Sequence, residues 1–448
     1  MRAATLILGG CAAGSSPRPA ASPPGPPLDP AAESSPPLAF QAGDYEAALR
    51  QARAEGKLLF VDAWAPWCHT CLSMRATVLH EPALGRHRTS YVAVELDTDR
   101  PESYGFVARH PMRVWPTFFI IDPETQVTLA SYGGSMSLPE VDAFLERGRS
   151  LRDATDPGHR AIVAAREAER AGDLSAAAAR YEEATRALPT ARRGEAALSL
   201  SATLHALGRF DECVTKGAPL LPDAGTTVDA LLALGRCGEK AGDDARRLAE
   251  SLIDARLPAW LATPPEGASV DDRSDAMGAW AARLEKLGRT DDARRVQLDR
   301  VALLERAASE ADTPEGQQVF DYERMLAYLA VGRGEDAVRL FRERAAQLPT
   351  SYEAHARLAS TLLKLDRPEE ALPAAERAIA LSYGPRQLRY LALRTDALER
   401  LGRREEARLS AQKELEAEDA LPRELRDAKR RTAIEARVEK LSARVADP

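Results

Sequence analysis

Apolar residues along the first third of the chain change period several times, and each change marks an element. Tyr45, Ala48, Leu49 and Ala52 share one face of a 3.6-residue repeat, which predicts a helix from Gly43 to Glu55 closed by Gly56. The next run, K-L-L-F-V-D-A-W-A, is short and apolar without alternation, the pattern of a strand buried on both faces. A helix is expected from Leu72 to His80, a strand from Tyr91 to Leu96 and a second connecting helix from Ser103 to His110. Phe118 to Ile121 predicts a strand, D-P-E-T a hairpin turn into Val127–Tyr132, and Leu138 to Arg149 a closing helix. Strands alternating with helices and ending in a hairpin describe a small α/β sandwich over residues 38–149.

From residue 158 to 430 the signal is repetition. The stretch A-G-D-L-S-A-A-A-A-R-Y-E-E-A-T-R-A-L-P spaces Gly172, Ala177, Tyr181, Ala184 and Pro189. Similar offsets recur at Gly208 and Cys213, at Gly242, at Gly288 and Ala293, at Gly332, Ala337, Phe341 and Pro349, at Asp366, Ala371 and Ala378, and at Gly402 and Ala407. The step from Gly332 to Asp366 is 34 residues, and the pattern resembles the second half of a tetratricopeptide (TPR) repeat. Two antiparallel helices per repeat approach closely, so alanine or glycine occupies the contact and an aromatic ring fills the next gap. P-A-W-L-A-T-P-P-E-G, between Leu257 and Val270, breaks the array. The segment 431–448 is expected to cap the solenoid, continuing an apolar series of Leu421, Leu425, Ile434, Val438 and Leu441. Cys213 sits at an alanine position and reads as a small buried hydrophobe, with Cys237 on the next repeat's first helix. A bond between them is compatible with a location outside the cytoplasm, but spacing does not establish it. His159, His205 and His355 are scattered and form no catalytic set.

Length and charge narrow the function classes. A chain of 448 residues holds about two to four domains. The net charge of −7 and the alternation of basic with acidic residues leave no patch to grip a phosphate backbone, which sets nucleic acid aside as a partner. No stretch has the unbroken apolar length to span a bilayer. The N-terminus has Arg2, an apolar run from Ala3 to Leu8, and then Leu8-Gly9-Gly10-Cys11. It resembles a bacterial lipoprotein signal over residues 1–11, with Cys11 as the lipidated residue. Glycine two before the cysteine and the short apolar run depart from that pattern. Residues 12–37, dense in proline, serine and alanine, have almost nothing to bury and read as an extended tether.

The chemistry lies in W-A-P-W-C-H-T-C, residues 64–71. A C-x-x-C pair is half a zinc site, a disulfide or a redox centre. Zinc wants four ligands, and the remaining cysteines of the folded region, Cys213 and Cys237, lie in the repeat region at non-ligand spacing, so no metal is expected. A purely structural bond across so short a loop would constrain little chain.

V-D-A-W-A-P-W-C-H-T-C followed some forty residues on by R-V-W-P-T-F resembles the thioredoxin-like family over residues 38–149. The whole chain is thus identified as an α/β thioredoxin-like domain followed by an all-α TPR solenoid. The resemblance implies that Cys68 is the exposed nucleophile at a helix N-terminus, Cys71 the buried resolving thiol, and Pro116 a cis proline against the disulfide. It places Asp62 at the family's buried acid and Trp67 at the aromatic position before the first cysteine.

Helix N-terminal N–H groups favour a thiolate at Cys68, with His69 helping when protonated, and Asp62 could exchange a proton with Cys71. Pro116 leaves the preceding backbone free to pair with an extended substrate, beside Trp67 and Trp115. The competing readings are a merely tolerated buried acid at Asp62 and a solvated loop residue at His69. The departures concern direction. His69 and Thr70 replace the usual Gly-Pro, and Leu72 stands where a basic residue often follows. Glu95 falls where thioredoxin has a lysine, which would raise the proton affinity of Asp62, and bulky Trp115 narrows the substrate groove. The expected function is a protein-disulfide oxidoreductase of the cell envelope, lipid-anchored, acting on cysteine-containing proteins with an unspecified redox partner. It would use no cofactor beyond the Cys68–Cys71 disulfide, and its repeats would recruit a protein or peptide ligand. The rival is an adaptor or holdase-like protein with a regulatory or vestigial redox motif; a cytoplasmic location is the alternative to the envelope.

Overall fold

The computed structural model describes residues 37–152, 154–223 and 228–443. Cys11 and nearly all of the proline-rich segment lie outside the described residues.

The first unit is a five-stranded sheet in the order β1-β3-β2-β4-β5, with β1 Phe40–Ala42, β2 Leu58–Trp64, β3 Tyr91–Asp97, β4 Thr117–Ile121 and β5 Thr128–Gly133. β1 and β2 run parallel to β3, while β4 is antiparallel to both β2 and β5. β2 is central and almost wholly buried, which accounts for its unbroken apolar run. Leu59, Val61 and Ala63 face α1 (Tyr45–Glu55) and Phe106, while Leu58 and Phe60 face Met74, Val78 and Phe144 on the other side. The Asp44 carboxylate caps α1 by accepting from the Ala47 N–H at 2.8 Å, and Gly56 closes it at φ 65°.

Two elements differ from the sequence expectation. The three-residue edge strand β1 carries no readable period. The helix expected at Leu72–His80 begins one turn earlier, as α2 His69–Met74, and widens into a π-helical turn over Arg75–Leu79. It starts at His69 because Cys68 itself is the N-cap. The remaining α-helices of this unit are α3, Tyr104–Arg109, and α4, Leu138–Leu151, and 3-10 helices, which the pattern did not announce, form at Pro82–Thr89 and Pro101–Ser103.

The rest is helical. Seven hairpins are present among the described residues, beginning with Pro157–Arg170/Leu174–Ala187 and ending with Gln387–Arg400/Arg404–Ala420, and helix Ala428–Ala443 packs on the last. The expected small residues Ala177, Cys213, Ala293, Ala337, Ala371 and Ala407 are all buried, as are Tyr181 and Phe341. Gly172, Gly208, Gly288, Gly332, Asp366 and Gly402 turn each hairpin at φ 56° to 79°. Gly242 departs from this set. The chain turns earlier there, at Glu239–Ala241, and Gly242 caps the following helix at φ −64°. That helix, Asp243–Ala262, also runs through Pro258, so the break in the array narrows to residues 263–269.

The solenoid closes around the α/β unit with the first helix of successive hairpins. Arg113 donates to Glu169 at 2.9 Å and Arg147 to Glu195 at 3.2 Å. The Ser135 hydroxyl reaches Asp229 at 3.0 Å and Asp272 at 2.8 Å. Further round, His69 meets Asp271, Arg357 donates to the Trp67 carbonyl at 2.9 Å, and Tyr383 bonds Asp97. These first helices thus hold the chain's own N-terminal unit.

Candidate functional site

β2 delivers the chain to Trp64, and the Cys68 N–H bonds the Ala65 carbonyl at 3.1 Å, turning the backbone into α2. Cys68 and Cys71 form a disulfide. The Cys71 N–H points at Cys68 Sγ from 3.0 Å, so the sulfur that would carry charge after reduction already has a donor at the helix N-terminus. Cys71 is buried, as expected for a resolving thiol. Cys68, expected to be exposed, is only 5 % accessible.

The Trp115–Pro116 peptide is cis. Trp115 donates its indole N–H to the Thr98 hydroxyl at 2.9 Å, and Trp67 donates to Asp99 at 2.8 Å. The two indoles lie 5.4 Å apart and form one aromatic wall beside the disulfide loop. Arg386, from the solenoid, stacks 4.4 Å over Trp67. A cavity of about 530 Å³ lies between residues 111–115 and the solenoid, lined also by Arg166, Glu169, His205 and Arg236 and by neither cysteine of the loop.

Asp62 lies on β2 directly between Glu95 on β3 and Phe118 on β4. It is buried, and neither carboxylate oxygen has a hydrogen-bond partner. Burial pushes its carboxyl up to about 7; Arg75 pulls it down and Glu95 pushes it further up. The approach of Glu95 to Asp62 foreseen from the sequence is present. Arg75 was not foreseen. Its guanidinium pairs with Glu95 at 2.6 Å and sits 3.9 Å over the Trp64 ring, supplying the cation that Leu72 does not.

His69 and Thr70 both turn toward the solenoid. His69 Nδ1–H donates to Asp271 Oδ1 at 2.7 Å, the Thr70 side chain helps to hold the same carboxylate charged, and the imidazole stacks on Tyr322 at 5.1 Å. Burial alone would lower the His69 pKa, but the charge and hydrogen bond of Asp271, with Glu323 and Asp275, raise it to about 10. His69 is therefore an imidazolium held in an ion-pair network and not a solvated loop residue. His69, Asp275 and Glu323 bring ligand-type atoms within 4.8 Å of one another, with His69 Nε2 and Glu323 Oε1 at 3.9 Å. Tetrahedral zinc bonds of 2.0–2.1 Å would need separations of about 3.4 Å. One Glu323 oxygen is moreover taken by Arg300 and Ser274.

Residues 39–123 match a family model described as thioredoxin-like. The thioredoxin-like domain thus contains every sequence-predicted redox residue within the matched span. No curated protein matches the chain. Among solved structures, a tetratricopeptide repeat protein from Parabacteroides merdae aligns over 64 % of this chain and 99 % of its own, at 12 % identity and TM-score 0.41. Pseudomonas aeruginosa pilF aligns over 56 % and 97 %, at 15 % identity and TM-score 0.30. At such scores the TPR-like assignment rests on the helix hairpins and their small-residue contacts. The structure adds Arg75, Asp271, Tyr322, Glu323, Arg357 and Arg386 to the surroundings of the disulfide. For Asp271 and Glu323 the one sequence signal was the run of acids at the starts of solenoid helices that also carry core residues, and the other four had none.

Proposed function

We propose that the protein is a thiol-disulfide oxidoreductase acting on cysteine-containing proteins. The observation that carries this reading is the Cys68–Cys71 disulfide at the start of α2, with the Cys71 N–H aimed at Cys68 Sγ. In the reductive direction the Cys68 thiolate attacks one sulfur of a substrate disulfide, forming a mixed disulfide and releasing the other sulfur as a thiolate. Cys71 gives up its proton, for which Asp62, near neutrality, is the acceptor, and attacks Cys68 Sγ. That breaks the mixed disulfide and re-forms Cys68–Cys71. Two electrons pass to the substrate, and an external dithiol restores the enzyme by the same exchange. Run backwards, the steps oxidise a dithiol, and no other cofactor enters. Trp67, Trp115 and cis-Pro116 form the substrate side of the site, where the backbone before Pro116 would pair with an extended segment.

The Cys213–Cys237 disulfide supports a location in an oxidising compartment, consistent with an envelope protein anchored through Cys11. Cys11→Ala should release the protein from the membrane fraction. The redox reading is tested by dithiol-dependent reduction of insulin: Cys68→Ser should abolish turnover, and retained turnover would sink it. One observation favours the adaptor reading, namely the 5 % exposure of Cys68. Under that reading a client protein binds the Cys68→Ser/Cys71→Ser variant as tightly as the native chain.

A further inference from the structure

We infer that Asp271, a solenoid residue, sets the redox potential of the Cys68–Cys71 pair by fixing the position and charge balance of His69. The inference rests on the redox reading above and adds a positioning residue to it.

His69 bonds to Asp271 from 202 positions away in sequence, Thr70 helps to hold the same carboxylate charged, and the carboxylate is buried. The imidazole cannot turn freely. Asp271 holds Nδ1, Glu323 faces Nε2 at 3.9 Å, and Tyr322 covers the ring, with Arg357 4.4 Å over Tyr322 in turn. Nδ1 is thereby taken from Cys68 Sγ, and Nε2 faces Glu323.

The charged groups around His69 come from three solenoid helices. Val270–Lys286 supplies Asp271 and Asp275, Asp321–Ala330 supplies Glu323, and Thr290–Ser309 supplies Arg300, which neutralises Glu323. Asp229 lies further back, against Ser135. Against His69 and Arg300 stand three carboxylates, and Asp275, lacking a cation of its own, is pushed up to about 8 by burial and by Glu323 and Asp271.

Reduction takes up two electrons and one proton, giving the Cys68 thiolate and the Cys71 thiol. The new anion is adjacent in sequence to His69, whose charge the carboxylates already compensate. Asp271 therefore opposes the thiolate, destabilises the reduced form and keeps the potential low.

Asp271→Asn keeps an oxygen to accept from His69 while removing the charge. In full-length protein equilibrated with dithiothreitol, with Cys68 and Cys71 alkylation read by peptide mass spectrometry, it should shift the equilibrium toward the reduced pair about tenfold. That corresponds to about 30 mV. The pH midpoint of Cys68 alkylation should fall. In a His69→Gln background the substitution should do much less. Measured at pH 9, where Asp275 has lost its proton, Asp275→Asn should act in the same direction, and it decides the matter if Asp271→Asn fails to fold. An unchanged equilibrium, or an equal shift with and without His69, overturns the inference. The measurement needs no substrate turnover, so failure of insulin reduction would count against the oxidoreductase reading alone.

Discussion

Replacing Asp62 with asparagine should stabilise the protein increasingly as pH rises, because only the charged carboxylate is penalised by its site. The folded carboxyl titrates near 7, against an ordinary value of 3.8, since burial leaves both oxygens without partners and Arg75 offsets only part of the cost. Between those values the folded chain holds a proton that the unfolded chain has released, so wild-type stability falls with pH across the window and levels off above it. The gap of about three pH units is worth about 4 kcal/mol at 1.36 kcal/mol each. Below pH 3.8 both states carry the proton, and the variant should differ from wild type only by the constant effect of a buried amide.

Thermal unfolding of both proteins from pH 4 to 8 reads this difference directly, since contributions shared by the two chains cancel. With an unfolding entropy of roughly 2.1 cal/mol/K per residue over the whole chain, about 4 kcal/mol becomes roughly 4 °C. The Tm difference should therefore widen by about that amount between pH 4 and 8. A constant difference across the range would show that Asp62 is not held protonated, and it would remove the proton acceptor from the proposed exchange.

Other perturbations test the surroundings of the site. Cys213→Ser in a Cys68→Ser/Cys71→Ser background should cost about 3 kcal/mol, from the entropy of a loop of 24 residues, and lower Tm by roughly 3 °C; an unchanged Tm would make the bond incidental. Gly384→Ala puts a Cβ 2.0 Å from the Asp99 carbonyl oxygen at φ 63°, where the last hairpin meets the domain. It should raise the alkylation rate of reduced Cys68 about tenfold without changing far-UV dichroism, and an unchanged rate would show that this contact does not hold the solenoid down.

What could be read from the sequence was local. The period of Tyr45, Ala48, Leu49 and Ala52 and the unbroken run of β2 are set by burial on one face or two, so α1 and β2 fall where the pattern puts them. The C-x-x-C loop and the cis-proline segment were equally legible, because C-x-x-C and W-P-T need only short stretches of chain. β1 was not, since three residues carry no period. Asp271 and Asp272 look like ordinary acids in the first turn of a helix, and Asp272 does complete a capping box with Ser269. The readable hint was that Asp271, Asp321, Glu323 and Glu353 occupy buried positions on helices, where a charge requires a partner. Sequence spacing alone could not say that for Asp271 this partner is His69.

The exposure of Cys68 was misjudged for the same reason: a motif specifies its loop and not what packs on the loop. Three interactions hold the loop itself to the solenoid, namely His69 with Asp271, Arg357 with the Trp67 carbonyl, and Arg386 over the Trp67 ring. At about 2 kcal/mol for each of the two charged hydrogen bonds and about 1 kcal/mol for the cation–π contact they sum to about 5 kcal/mol, which leaves the loop open about one time in five thousand. A seal of that strength slows access to the disulfide without abolishing it. A partner that binds the open form better by the same amount, about 5 kcal/mol, would bring open and closed forms to parity. The solenoid would then act on turnover through two separable quantities, the open population and, through Asp271, the potential of the pair it covers.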